Sequence, residues 1–146
     1  MSQHRVFVYG TLMQGLRNHH MMKCAKYSGP AKTLLPSYSL VQFPSKSSPG
    51  DVTPGMIKHG NDCVMGELYI VDDECLAILD KFEDVGGEYE RSRVMLEDGS
   101  QAWAYFLLAK KTECPKGTPS FIGKDDAIQS VFWDGVEAER RMRKSA

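Results

Sequence analysis

The sequence has no excess of one charge and no long run of hydrophobic residues. Its 18 Lys and Arg residues nearly balance its 19 Asp and Glu residues, which leaves a formal net charge of -1. A nucleic-acid partner needs a basic surface opposite its phosphates, and a membrane-spanning helix needs about 20 consecutive apolar residues. We therefore expect neither a nucleic-acid nor a membrane partner.

Cysteine is scarce and shows no ligand-like spacing. None of the four cysteines forms a Cys-x-x-Cys pair or lies near a histidine at zinc-finger spacing. Their even number permits two disulfides, but no spacing favours them. With eight methionines in a short chain, we expect unpaired thiols, no metal site and a cytoplasmic, reducing environment. The cysteines are Cys24, Cys63, Cys75 and Cys114.

The motifs of several enzyme classes are also missing. The sequence contains no Gly-x-Ser-x-Gly elbow, no P-loop and no Gly-x-Gly-x-x-Gly. No cysteine follows a helix start or a basic cluster that would clearly activate it as a nucleophile. We therefore expect no cofactor, and carboxylates remain as the candidates for acid–base chemistry.

What the sequence does contain is enough apolar residues for one ordinary domain, expected to span residues 1–146. The order of predicted elements is not a regular alternation of strands and helices, which disfavours a doubly wound parallel sheet. We predict an α+β fold: a small, mixed, mostly antiparallel sheet curled toward a barrel and flanked by a few short helices. The patterns predict strands over 6–9, 31–35, 38–43, 63–71, 89–96 and 102–108, helices over 16–24, 72–84 and 135–143, and a short helix or irregular segment over 127–133.

Residues 44–61 are rich in Pro, Gly and Ser, which predicts a long loop. Long loops within compact domains are often functional lids or mobile excursions. A disordered insertion explains the same composition, and so does a contact surface for a protein partner. The sequence leaves these alternatives open.

The first hydrophobic segment, 6–9, predicts a buried strand that ends at Gly10. A turn there leaves the amides of Gly10, Thr11 and Leu12 outside the strand ladder, and buried amides need partners. One interpretation is an ordinary turn capped by Thr11. The other is a pocket in which backbone amides bind an anion or an oxyanion.

Three separated segments carry a resemblance to a known family. The first is Tyr9-Gly10-Thr11-Leu12, with Gly15 and Asn18 at their spacings; the second is Gly66-Glu67-Leu68-Tyr69. The third is Leu79-Asp80, then Glu83, then the Tyr89-x-Arg91 strand. Together they resemble the gamma-glutamylcyclotransferase-like superfamily, most closely its gamma-glutamylamine cyclotransferase branch, which includes the avirulence-induced proteins. The resemblance implies a small mixed β-barrel with helices packed outside.

The resemblance also implies a reaction and its residues. The α-amine of a γ-glutamyl compound attacks its own γ-carbonyl, which releases 5-oxoproline and a free amine without a cofactor. Glu83 is the implied acid/base. Glu88 is the second choice, because some bacterial relatives present their acid in a similar Gly-Gly-Glu-Tyr segment, and Glu90 is a distant third. The implied substrate-binding residues are Tyr9, Gly10, Thr11, Leu12 and Tyr105.

Several points stay open at this level. The Tyr-Gly-Thr-Leu form favours γ-glutamylamines, such as γ-glutamyl-ε-lysine, over glutathione, but the leaving amine is not determined. The amides after Tyr9 can hold either the oxyanion or the α-carboxylate of the substrate. A non-catalytic protein that binds γ-glutamyl compounds or amino acids, or a regulatory interaction protein, is the alternative function. The oligomeric state is unknown.

Overall fold

A mixed sheet of eight strands forms the centre of the protein in the residues that the structure describes. The computed structural model describes 2–45, 50–108 and 113–145, with side chains as far as Met142. The strands are β1 (Gln3–Val8), β2 (Lys26–Lys32), β3 (Tyr38–Pro44), β4 (Val52–Asp72), β5 (Tyr89–Met95), β6 (Gln101–Leu107), β7 (Ile122–Asp125) and β8 (Ser130–Trp133). The helices are α1 (Asp73–Phe82) and α2 (Gly135–Ser145), with 3₁₀ turns at His19–Met22 and Asp126–Ile128.

Strand β4 connects most of the sheet. Its second half pairs antiparallel with β1 and β2, its first half pairs antiparallel with β3, and its middle pairs parallel with β8. Met56 near its start also pairs with Phe106 of β6, which in turn lies beside β1. The predicted α+β class with a mixed, mostly antiparallel sheet is confirmed. The sheet curls without closing, so the word barrel describes it only loosely.

The long loop predicted over 44–61 is wrong for most of its length. Residues from Val52 onward belong to β4 and pair with β3, for example Thr53 with Phe43 and Met56 with Leu40. Pairing with a neighbouring strand outweighs the poor strand propensity of the prolines and glycines there. The connection between the two strands is therefore short, and residues 46–49 within it lie outside the described residues.

Strand β1 is buried on both faces. Val6 and Val8 belong to one hydrophobic cluster, which also contains Leu79 of α1, whereas Phe7 belongs to a second cluster with Met56 and other residues on the opposite face. A strand covered on both sides reads as an uninterrupted apolar run. Burial on both faces explains why this segment was recognisable as a strand from the sequence.

Helix α1 begins and ends with clear signals. The Asp72 side chain accepts a hydrogen bond from the Cys75 amide at 2.8 Å, and acidic residues occupy the first turn, where the helix dipole favours them. Leu79 is fully buried, but Phe82, about one turn further along, is 38% exposed. The chain leaves the helix through Asp84, whose φ of 53° is left-handed, so the helix ends at Phe82, two residues before its predicted end.

Other predicted boundaries also need correction. The helix predicted over 16–24 is only the 3₁₀ turn His19–Met22. Strand β2 starts at Lys26 and ends at Lys32, earlier than the predicted 31–35, because Gly29 and Pro30 pair with β4 instead of ending the element. The segment 127–133 ends as strand β8, which pairs with both β4 and β7. None of the helices in the described ranges is long and apolar enough to cross a membrane.

The cysteines are not all unpaired. Cys24, just after the first 3₁₀ turn, forms a disulfide with Cys75 in the first turn of α1, across 51 residues of sequence. Cys63 and Cys114 are free thiols. The expectation of unpaired cysteines is therefore wrong for one pair, because residues distant in the sequence lie side by side in the fold.

We predict that replacing Cys75 with Ala in a Cys24→Ala background lowers the free energy of unfolding by about 2–4 kcal/mol relative to the oxidised wild type. The disulfide joins residues 51 positions apart and so lowers the conformational entropy of the unfolded chain. Urea denaturation without reductant measures the difference, and Cys114→Ala serves as the control. Equal stability of the double variant and the oxidised wild type would contradict the prediction.

Candidate active site

An open cavity of about 200 Å³ lies between the end of β1, the start of β4 and the end of α1. It brings together two segments that are some seventy residues apart in the sequence. The turn Gly10-Thr11-Leu12 lines one side, and Glu83 and Glu88 line another. The cavity therefore contains the candidate amide donors and both leading candidates for the acid/base.

The turn after β1 leaves its amides available. The Gly10 carbonyl accepts a hydrogen bond from the Met13 amide at 3.0 Å, which closes the turn. The amides of Gly10, Thr11 and Leu12 donate no hydrogen bond to any residue in the described part of the chain. Amides at the wall of a cavity and without a protein partner are suited to bind an anion.

Gly10 is required by a close approach. A Cβ atom at this position would lie 2.8 Å from Cγ of Pro54, so any larger residue would push the turn away from β4. Pro54 itself lines the cavity. The glycine thus allows the turn and the start of β4 to form one continuous wall.

Asn18 holds the turn from the other side. Its side-chain amide donates to Thr11 Oγ1 at 2.8 Å, and its backbone amide donates to the Thr11 carbonyl at 3.1 Å. The Asn18 side chain makes no capping bond to the short 3₁₀ turn that follows. Its contact with Thr11 gives a physical reason for the spacing of these two residues in the sequence.

Glu83 is the most perturbed carboxyl group in the cavity. It lies at the C-terminal end of α1, where its own amide donates to the Leu79 carbonyl at 2.9 Å. Burial raises the pKa of Glu83 to about 8, and the negative charge of Glu88 contributes further. A carboxyl with this pKa can exchange a proton in either direction near neutral pH.

The other two candidate carboxylates occupy different positions. Glu88 lines the cavity and acts on Glu83 through its charge. Glu90 does not line the cavity and forms an ion pair with Lys58, which lowers the pKa of Glu90. The geometry therefore keeps Glu83 and Glu88 as candidates and separates Glu90 from them.

Three tyrosines surround the Glu83 carboxyl. Tyr9, Tyr89 and Tyr105 all line the cavity and are at most 6% exposed. Burial raises the pKa of each hydroxyl above its ordinary value, with the Glu83 charge as a smaller cause. Their rings exclude water from Glu83, which is the physical origin of its raised pKa.

The hydroxyl of Tyr9, a predicted substrate-binding residue, has two partners within the protein. It donates to the Tyr105 carbonyl at 2.7 Å and accepts from the Met56 amide at 2.9 Å. The hydroxyl thereby joins β6 to the start of β4. Tyr9 contributes a wall to the cavity while its polar atom fixes the position of that wall.

The remaining residues of the third segment hold α1 in place. The Arg91 Nε donates to both carboxylate oxygens of Asp80, at 2.9 and 3.1 Å, and the Tyr105 hydroxyl donates to the same carboxylate at 2.8 Å. The Arg91 guanidinium also stacks on the Trp103 ring at 4.3 Å. These contacts tie the last turn of α1 to β5 and β6, and so position Glu83, the next residue after the helix.

Sequence reasoning missed part of the cavity wall. Arg17, Thr53 and Pro54 line it, yet none was predicted as a site residue. Thr53 and Pro54 fell within the segment interpreted as a loop, so nothing indicated their position beside the turn. The Pro54-Gly55 pair in the sequence is typical of a turn and did not indicate a cavity wall.

A buried carboxyl beside unpartnered amides can perform general acid–base chemistry at a carbonyl group. The carboxyl can accept and return a proton, and the amides can stabilise an oxygen that becomes negatively charged. Within the described residues, no three His, Cys, Asp or Glu side chains group together as metal ligands would.

Comparison with known proteins agrees with this fold and identifies the family. Residues 6–125 match the family model described as gamma-glutamyl cyclotransferase, AIG2-like. A putative gamma-glutamylcyclotransferase of Vibrio cholerae is 39% identical over 103 residues, which cover 70% of this chain and 81% of that protein. The chain belongs to the AIG2-like gamma-glutamyl cyclotransferase family.

Two further relatives lie in the same family. Gamma-glutamylaminecyclotransferase C of zebrafish (Danio rerio) is 38% identical over 103 residues, covering 66% of this chain and 64% of that protein. The crystal structure of an AIG2-like protein from mouse (Mus musculus) superposes with a TM-score of 0.61 at 30% identity, covering 73% of this chain and 78% of that chain. The resemblance inferred from the three segments is confirmed.

We predict that Glu83→Gln makes the protein more stable than the wild type at high pH. The unfolded chain releases the Glu83 proton near its ordinary pKa of 4.5, whereas the folded protein keeps it up to about 8. The wild type therefore loses stability as the pH rises through this window, and the variant does not. Urea denaturation at pH 4.5, 6, 7 and 9 measures the difference.

The difference between variant and wild type should be small at pH 4.5 and largest above pH 8. Glu90→Gln is the matched control, and it should lose stability relative to the wild type as the pH rises, because the Lys58 partner lowers the pKa of Glu90 in the folded protein. A wild type and a Glu83→Gln variant that differ by the same amount at every pH would contradict a raised pKa for Glu83.

Proposed function

We propose that the protein converts γ-glutamylamines to 5-oxoproline and a free amine, with Glu83 as the acid/base. The observation that carries the proposal is the meeting of Glu83 with the Gly10-Thr11-Leu12 amides in one cavity. Membership of the gamma-glutamyl cyclotransferase family supports the reaction type. The zebrafish relative, named as a gamma-glutamylaminecyclotransferase, supports the choice of substrate class.

The reaction is an exchange of one C–N bond for another. The substrate's α-ammonium loses a proton to the Glu83 carboxylate and its nitrogen attacks the γ-carbonyl carbon. The tetrahedral oxygen becomes negative, and the amides of the turn stabilise it. Glu83 then gives its proton to the nitrogen of the leaving amine, and the original amide bond breaks. The attacking nitrogen gives up its second proton by way of the same carboxylate, and the departing amine takes it up and leaves as an ammonium. Two protons thus leave the attacking nitrogen and two reach the departing amine, so no external proton donor is consumed.

The raised pKa of Glu83 suits this exchange. An ordinary carboxylate with a pKa of 4.5 is a weak base toward an ammonium group. A pKa of about 8 reduces the difference between the pKa of the carboxyl and that of the ammonium, which favours proton transfer. The reaction also requires the substrate's amine to lie near its own carbonyl, and a cavity that holds the substrate in a folded conformation provides this proximity. One well-aimed amide donor contributes about 3 kcal/mol to such a transition state.

The mouth of the cavity supports an amine with an aliphatic chain as the leaving group. Phe82 lines the cavity and is 38% exposed, and Phe43 lines it from the β3 side. Apolar surface next to the acid/base can cover the methylenes of a leaving alkylamine, such as the side chain of lysine. This contact is compatible with γ-glutamyl-ε-lysine as a substrate.

We predict that Glu83→Gln lowers kcat/KM for γ-glutamyl-ε-lysine by about 10²–10⁴-fold, because positioned acid–base catalysis supplies about this factor. In Glu88→Gln the activity remains, and the acidic limb of the pH–rate profile moves to lower pH. The reason is that removal of the Glu88 charge lowers the pKa of Glu83. Mass-spectrometric detection of 5-oxoproline from pH 5 to 9 measures both effects.

The assay compares γ-glutamyl-ε-lysine with γ-glutamyl-alanine and glutathione as substrates. Glu90→Gln is the matched control, since Glu90 lies outside the cavity, and it should keep the wild-type rate. Full activity of Glu83→Gln together with loss of activity in Glu88→Gln would transfer the acid/base role to Glu88. The absence of 5-oxoproline from all three substrates with the wild type would overturn the proposed function.

A further inference from the structure

Arg17 places a guanidinium group at the cavity wall, although neither the predicted site nor the proposed mechanism uses it. Its side chain is 19% exposed, so the charge is largely enclosed by protein. Together with Thr53 it forms a polar corner of the cavity. An enclosed cation at the wall of a substrate cavity requires an explanation, because burial of a charge is costly unless the charge has partners.

The protein holds this guanidinium in a fixed position. Arg17 Nη2 donates to the Val52 carbonyl and to Thr53 Oγ1, both at 3.1 Å. The Arg17 amide donates to a carboxylate oxygen of Glu139 in α2 at 2.8 Å, which anchors the backbone as well. Bonds on one side of a planar guanidinium restrict its orientation and leave its other donors directed elsewhere.

The charge of Arg17 is only loosely matched. Among the described residues, the guanidinium has an ion pair only with Asp51, at 3.8 Å from Nη1, which is longer than a hydrogen bond between charged groups. Nη1 also makes a weak contact with the Met142 sulfur at 3.9 Å. Within the described residues, Arg17 Nε donates no hydrogen bond. The fork therefore retains donor capacity for an additional acceptor, and carboxylates fit a guanidinium in two parallel hydrogen bonds.

The two carboxyl groups of the cavity come from a different part of the chain, the segment that follows α1. Burial and the charge of Glu88 raise the pKa of Glu83, and no cation among the described residues offsets them. An anionic substrate group is therefore disfavoured near Glu88 and near any charged form of Glu83, and it is attracted near Arg17. The cavity has a polarity that can orient a substrate with a positive group at one end and a negative group at the other.

We propose that Arg17 binds a carboxylate of the substrate and thereby determines substrate specificity. The inference rests on the proposed function and adds the requirement that the substrate carry an anionic group. Every γ-glutamyl compound has an α-carboxylate beside its α-amine, and γ-glutamyl-ε-lysine has a second carboxylate on its leaving group. Both have the same chemistry, and the experiment separates them.

The test uses three substrates that differ by one carboxylate. γ-Glutamyl-ε-lysine has both groups, γ-glutamylcadaverine lacks only the leaving-group carboxylate, and 4-aminobutyryl-ε-lysine lacks only the α-carboxylate. kcat/KM is measured for each with the wild type, Arg17→Gln, Arg17→Lys and the control Arg140→Gln, whose exposed side chain lies on α2. Binding of 5-oxoproline and of lysine, each against its decarboxylated analogue, is measured in parallel by calorimetry.

With the wild type, loss of the recognised carboxylate should lower kcat/KM by about 10–100-fold, the range for one charged hydrogen bond. In Arg17→Gln this ratio should fall toward 1 for that carboxylate alone, with partial recovery in Arg17→Lys and no change in Arg140→Gln. The pair of substrates whose ratio collapses identifies which carboxylate Arg17 binds.

The outcome that overturns the inference is also specific. If Arg17→Gln weakens all three substrates by the same factor, then Arg17 only supports the fold, and thermal unfolding of the variant should show the loss. If the wild type turns over none of the substrates, the proposed function fails, and the calorimetric binding data alone test whether Arg17 binds a carboxylate. Equal affinity of the wild type and Arg17→Gln for each carboxylate ligand would then reject carboxylate binding.

Discussion

The burial of the Glu83 carboxyl among aromatic rings is the constraint on which the site depends. Removing a carboxylate from water disfavours its charged form, and no described cation compensates for this loss near Glu83. The folded protein therefore keeps the group protonated well above the ordinary range of a carboxylic acid. The same burial lowers the stability of the folded protein at high pH and produces a carboxyl group that can exchange protons at neutral pH.

The surrounding structure holds this unfavourable group in place. Asp80, Arg91 and Tyr105 bind one another across α1, β5 and β6, and Glu83 follows α1 directly. On the opposite wall, Asn18 clamps the turn at Thr11. The Cys24–Cys75 disulfide links the segment after that turn to the first turn of α1. Both halves of the site are therefore supported by contacts outside the cavity.

Some of this arrangement was predictable from the sequence. The apolar segment 6–9 identified a strand covered on both faces, and the Asp-capped start of α1 was recognisable from its acidic first turn. The family resemblance depended on three short segments that had to be read together. Glu83 was selected through this resemblance, and the structure adds that its motif neighbours Asp80 and Arg91 bind each other.

The rest depended on contacts between distant residues. The first half of β4 has the composition of a loop and becomes a strand only because β3 pairs with it. The disulfide joins cysteines whose proximity no spacing revealed. Thr53, which Arg17 contacts at the cavity, belongs to this first half of β4. Local propensity carries no information on such pairings, which tertiary structure decides.

The meeting of Glu83 and the turn amides in one site is the central claim, and nuclear magnetic resonance tests it most directly. The Glu83 carboxyl carbon is titrated in ¹³C-labelled protein, with and without 5-oxoproline, while the ¹⁵N shifts of Gly10, Thr11 and Leu12 are recorded. We expect titration near pH 8 in the free protein, with 5-oxoproline shifting both this midpoint and the three amides. Titration near 4.5, or a ligand that moves neither group, would contradict the claim.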